Sequence, residues 1–134
     1  MLIVKNKFAL NSTLELEYLV RSSPKILFKF LSNAESLQEW FAEEVKKDQN
    51  VFSFFWDGEE EQAELRECKD SEQIRFQWIS GERSGSNFGF RIEKDDLTGG
   101  VALWISDEVP DGKVEEYTQI WNVQIEALMK VLGS

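Results

Sequence analysis

The stretch VEEYTQIWNVQIEALMKVL, residues 114–132, decides the fold. Val114, Tyr117, Trp121, Ile125, Leu128 and Leu132 recur every three or four residues, and a helical turn gathers them into one apolar stripe. Glu115 and Glu116 stand in the first turns, where the helix dipole favours anions, and Lys130 stands in the last. Gly133 is a natural stop, and Asp111, next to Pro110, is the expected cap. The spacing predicts a helix over about residues 113–132. A helix with so wide an apolar face needs a sheet to lie on.

Upstream the period falls from 3.6 to two. Val101, Leu103 and Ile105 alternate after a turn at Asp95–Gly100. Phe88, Phe90 and Ile92 alternate with Gly89, Arg91 and Glu93; Ile74, Phe76 and Trp78 alternate with Arg75 and Gln77. Between these two runs lies a polar, glycine-bearing loop, Ser80–Ser86. Glu60–Cys68, with Ala63 and Leu65, is read as the return strand from Val51–Trp56, and Asp57-Gly58 is a strong two-residue hairpin signal between them. One-sided alternation of this kind is the mark of an antiparallel sheet with one covered face.

The first part of the chain supplies one more strand and two short helices. Thr13–Val20 alternates, with Leu14, Leu16, Tyr18 and Val20 sharing a face. Ser23-Pro24 opens a helix, with serine as cap and proline at the first position, and Leu27, Phe30 and Leu31 form its expected stripe. Ser32 and Glu35 have the spacing of a capping box for a second short helix carrying Leu37, Trp40 and Phe41. The fold class expected is α+β: about seven antiparallel strands curved around the C-terminal helix, with two short helices after the first strand.

Composition narrows the function classes. The chain has 134 residues, no histidine and one cysteine. This suits one domain over 1–134, with residues 1–12 a segment whose order the pattern does not fix. Without histidine, serine–histidine and cysteine–histidine hydrolysis are excluded, and a lone thiol excludes disulfide frameworks and cysteine-cluster metal sites. A net charge of −10, with basic residues dispersed, argues against nucleic acid and anionic membrane surfaces. No apolar run approaches the ~20 residues of a membrane span, and Met1–Lys7 lacks the form of a signal peptide. The expected location is therefore cytoplasmic, and neither a cofactor nor a metal is expected.

Candidate chemistry is sparse. Glu59-Glu60-Glu61 and Asp95-Asp96 read as solvated charges at turns. The segment Asp107–Gly112 lacks the ligand alternation of a calcium loop. Gly81, Gly85 and Gly89 match no phosphate-binding fingerprint. Cys68 reads as a passive thiol. The aromatic residues, 13% of the chain, are the one feature with promise. Tyr18, Phe54, Trp56, Phe76, Trp78, Phe90 and Trp121 either line an apolar ligand cavity or fill the interior completely. The stripe directs Trp121 at the sheet, where it either packs against Phe76 or Trp78 or borders an open cavity.

Several segments carry a resemblance: Leu16-Glu-Tyr18, Ser23-Pro24, Leu37-Gln-Glu-Trp40-Phe41, Phe52–Gly58, Arg75-Phe76-Gln77-Trp78, Phe90-Arg91-Ile92-Glu93 and Leu128–Ser134. Over about residues 13–134 the chain resembles the START-like, SRPBCC or Bet v 1-like superfamily with its helix-grip fold. Within it, the chain is similar to homologues of the heat-shock-chaperone ATPase activator and to a small bacterial START-like family of unknown function. The resemblance implies a curved sheet gripping the long helix, often with an apolar small molecule or lipid held between them. It also implies two alternatives: a protein-interaction module like the chaperone activators, and an aromatase- or cyclase-type enzyme. For the last, Tyr18 is the one obvious candidate, and no catalytic motif carries across.

Overall fold

The computed structural model describes residues 11–133. The reading of Met1–Lys7 and most of the 1–12 segment lie outside this range. Strand β1 spans Asn11–Val20; helices α1, Pro24–Ser32, and α2, Ala34–Leu37, follow. Then come β2, Glu44–Asp48; β3, Val51–Trp56; β4, Glu59–Lys69; β5, Gln73–Trp78; β6, Asn87–Lys94; and β7, Val101–Pro110. Helix α3, Val114–Leu132, closes the chain. The seven strands form one antiparallel sheet in the order β1-β7-β6-β5-β4-β3-β2. The α+β reading with a C-terminal helix against the sheet holds.

Local chemistry explains most element ends. Ser23 caps α1 as expected, its hydroxyl accepting from the Ile26 N–H at 3.2 Å. Asp57 and Gly58 both take positive φ, 50° and 80°, as a two-residue hairpin of the mirror-image type requires. Gly133, at φ 72°, ends α3.

Other local readings need correction. The cap of α2 is Asn33, whose side chain accepts from the Ser36 N–H at 3.1 Å, while the Ser32 hydroxyl donates back to the Phe28 carbonyl at 2.8 Å. Asp111 does not cap α3. It accepts from the Ser12 hydroxyl at 2.7 Å, and the capping position is Lys113, which makes no side-chain cap bond. Helix α2 ends at Leu37, so Trp40 and Phe41 are carried by the turns after it. In α1, Phe28 is buried beside Leu27 and Leu31, and Phe30 is half-buried. The polar strand β2 carries no alternation that would mark it in the sequence, and β7 continues to Pro110.

The core lies between the sheet and the helices. Phe52, Phe54, Phe76, Phe88, Phe90, Leu103 and Ile105 present one buried face. Leu27 and Leu31 of α1, Leu37 of α2, and Trp121, Ile125 and Leu128 of α3 cover it. A register shift between Leu65 and Glu67 bends β4, the usual effect of a bulge. The opposite face is polar: Trp104 donates its indole N–H to Glu93 at 2.8 Å, and the Arg91 guanidinium lies 5.1 Å from the Trp104 ring. No described helix is long and apolar enough to cross a membrane.

Candidate functional site between sheet and helix

A cleft of about 410 Å³ opens between the sheet and α3. Its lining comes from distant parts of the chain. Trp56 ends β3, Trp78 ends β5, and Phe88 and Asp107 stand opposite each other on β6 and β7. Tyr117, Trp121 and Gln124 sit on one face of α3 at helical spacing, with Ile120 beside them. Phe41 and Glu61 complete the wall, and Arg83 reaches in from the β5–β6 loop.

Hydrogen bonds lock several of these groups. The Phe41 carbonyl accepts from the Trp56 indole and from the Gln124 side-chain amide, each at 3.0 Å. Asp107 is 1% exposed and has both oxygens engaged. One takes the Arg83 guanidinium, and the other takes the Trp121 indole N–H at 2.8 Å. Arg83 also donates to the Glu108 carbonyl at 2.8 Å and lies 4.8 Å from the Tyr117 ring centroid and 5.9 Å from that of Trp78. Burial pushes the Asp107 carboxyl above its ordinary range, and the Arg83 charge with the Trp121 N–H opposes the shift in part. Two buried donors in the lining residues have no partner: the Trp78 indole N–H and the Arg83 Nε–H.

The aromatic residues singled out by sequence separate into three groups. Trp56, Trp78 and Trp121 line the cleft. Phe54, Phe76 and Phe90 are packed behind it: Phe54 makes an edge contact with Phe76 at 6.4 Å, and Phe90 meets Trp40 at 6.0 Å. Tyr18 does not line the cleft; its hydroxyl donates to Asn122 at 2.6 Å, and burial raises its pKa. Trp121 meets Phe41, Phe88 and Phe90 at 5.9, 6.5 and 5.8 Å, the last two on the strand next to that of Phe76 and Trp78.

Sequence reasoning missed the polar members, Arg83, Asp107, Glu61 and Gln124. For Asp107 a signal existed. The alternation Val101, Leu103, Ile105 continues through Asp107 to Val109, which puts a carboxylate at an inward position. Asp107 thus belongs to a strand and an ion pair, not to a loop after one. Of the other carboxylates, Asp95 accepts from the N–H groups of Leu97 and Thr98, which lowers its pKa and makes it a turn residue. Cys68 is exposed. Among the described residues no group of carboxylates and thiols could hold a metal ion. A second depression, on the outer face around Gly89 and Ser106, is walled largely by charged and polar groups such as Glu15, Arg75 and Glu108. Its aromatic lining includes Trp104, whose indole is held by Glu93 and whose ring lies against Arg91.

The same architecture recurs in solved structures. The Aha1 dimer from Colwellia psychrerythraea superposes with a TM-score of 0.77 at 12% identity, covering 90% of this chain and 96% of that one. A protein from Mesorhizobium loti gives 0.76 at 15% identity, over 91% and 97% of the two chains. A protein from Bacteroides fragilis is 27% identical, with a TM-score of 0.65 and 90% of each chain covered. A search of curated proteins by sequence matches none. The family model described as the START-like superfamily domain matches residues 8–134. With a seven-stranded sheet, a covering C-terminal helix and a cleft between them, the chain belongs to the START-like superfamily.

Proposed function

We propose that this domain binds an apolar small molecule or a lipid in the cleft between the sheet and α3. The observation that carries this reading is the cleft itself. Its volume of about 410 Å³ falls within the range of small-molecule sites, and aromatic rings form most of its wall with a few polar groups among them. Membership of the START-like superfamily supports it, because the fold leaves room between sheet and helix. The test is native mass spectrometry of the purified domain together with titration of an apolar naphthalene probe. A co-purified small molecule, or saturable probe binding that Ile120→Trp abolishes by filling the cleft, is expected. No bound mass and no saturable binding overturns the reading.

A second reading, a protein-interaction module, is favoured by α3. Val123, Ala127 and Val131 lie at helical spacing, and Val123 is 66% exposed. A pull-down from cell extract should then return a partner that Val123→Glu loses. Equal recovery by the two proteins removes this reading.

A further inference from the structure

We infer that the outer face of α3 receives a second copy of this chain, in a weak two-fold dimer with Val123 at its axis. The inference rests on the protein-interaction reading and names the partner. Glu116, Val123 and Lys130 follow one another at seven-residue intervals along α3. Seven residues fall just short of two full turns, so the three share a face and stand about 10 Å apart along the helix. That face is turned away from the sheet: all three side chains are exposed, whereas Trp121, Ile125 and Leu128 are buried on the opposite side. Ile120, three residues before Val123, is 46% exposed, and Ala127, four after it, is half-buried. An acid thus stands at one end of the line, a base at the other, and apolar side chains between. The helix dipole favours an early acid and a late base, but it does not require them on one face with an apolar residue midway.

A two-fold axis through Val123 sets two such helices antiparallel and brings together positions equally far from Val123 on either side. Val123 then meets its own copy. Glu116 meets Lys130 of the second chain and Lys130 meets Glu116, so both ion pairs form at once. Ile120 lies beside Ala127 of the other copy, and the small alanine leaves space for the larger side chain. A parallel arrangement would put acid on acid and base on base. Both charges are available. Glu116 makes one long contact, 3.7 Å to Lys113, with both side chains more than half exposed, and Lys130 makes no ion pair among the described residues. An unrelated partner would have to bring the inverse pattern; a second copy carries it already. Each copy has a net charge of −10, and one helix on another is a small contact, so the dimer is weak and fills at high protein concentration.

Sedimentation equilibrium of the full chain, at about 0.15 M sodium chloride to screen the net charge, reads the mass from about 10 µM to about 1 mM protein. The mass should rise from 15.6 kDa towards twice that value. Glu116→Lys and Lys130→Glu should each weaken the dimer at least about tenfold, because each sets like charges together at both contacts. An equimolar mixture of the two variants should associate about as tightly as the natural protein, since opposite charges then face each other at both contacts. A mass that stays at the monomer value overturns the inference. So does a dimer that neither reversal weakens, or a mixture that associates no more tightly than its components. A monomer that still recovers another protein through Val123 in the pull-down overturns the second copy alone; a monomer that recovers none overturns the interaction reading as well. Circular dichroism checks that each variant is folded, and the mass of the natural protein decides even if one is not.

Discussion

Asp107 is the residue on which most of the site depends. It is buried and held by donors from a loop and from α3, and it ties both to β7. Removing one partner of such a pair strands the other, so Asp107→Ala should cost about 3–5 kcal/mol in urea denaturation. Asp107→Asn should cost less, because its amide oxygen still accepts from the Trp121 indole. The pH dependence has a definite sign. The folded carboxyl holds its proton more tightly than the unfolded one, so the folded state binds more protons between the two pKa values. The Asp107 contribution to stability is therefore most favourable below the ordinary carboxylate range. It declines as pH rises through the window up to the raised value. Asp95 has the opposite sign: its contribution is present above the unfolded pKa and lost as pH falls through the lowered one. Denaturation across pH, with Asp107→Asn flattening the upper window, checks the assignment. Trp121→Ala removes a ring packed on Phe41, Phe88 and Phe90 together with the indole bond to Asp107, and should cost about 3–5 kcal/mol. The stripe that identified Trp121 was plain in the sequence. Arg83 was not, because a lone arginine in a polar loop carries no local sign that its charge is turned inward.

Among the elements, those with strong periodicity were legible and those without it were not. Strand β5 alternates large apolar with polar side chains, β6 alternates them with glycine and charged residues, and β3 repeats large rings at Phe52, Phe54 and Trp56. Strand β2, EVKKD, has only Val45 buried, which is all an edge strand needs when one neighbour supplies its hydrogen bonds. The border between α1 and α2 is ambiguous in the sequence because serine and asparagine, adjacent at 32 and 33, are both good caps. Backbone geometry decides: Asn33 is extended, at φ −95° and ψ 128°, and Ser32 is still helical. Asn33→Ala should therefore cost about 1 kcal/mol in thermal or urea unfolding, and Ser32→Ala distinctly less. Gly89 presents a different constraint. A Cβ there would stand 2.8 Å from the Ile74 carbonyl oxygen, backbone that can yield only if β5 and β6 part. Gly89→Ala should cost about 1–3 kcal/mol, read from the urea midpoint.

For the whole molecule, the order of elements and the face each buries were readable because pattern and fold agree at nearly every strand. The cleft was not readable. Whether seven large aromatic side chains fill a space or border it depends on distances of a few ångströms between elements far apart in sequence. Trp56, from β3, and Trp121, from α3, illustrate the point, since they share a wall that only the assembled sheet brings into being. The net charge of −10 also acts at this scale. Self-repulsion opposes compactness and is screened by salt, with a Debye length of about 10 Å at 0.1 M. The urea midpoint should rise as sodium chloride is added at low ionic strength. A midpoint that falls or stays flat would show that specific ion pairs outweigh the net charge.

The pairing of β1 with β7 has a consequence for timing. Asn11 pairs with Pro110, so an early strand of the chain waits for a late one, and α3 is later still. On the ribosome, the hairpins from β2 to β6 can form as they emerge, but the concave surface of Phe54, Phe76, Phe88 and Phe90 is covered only in part, by α1, α2 and the Trp40–Phe41 turn, until α3 is out. The nascent domain is therefore at its stickiest just before it is complete. Premature termination within residues 111–132 should yield a product that holdase chaperones retain and proteases remove, rather than a slightly weakened domain.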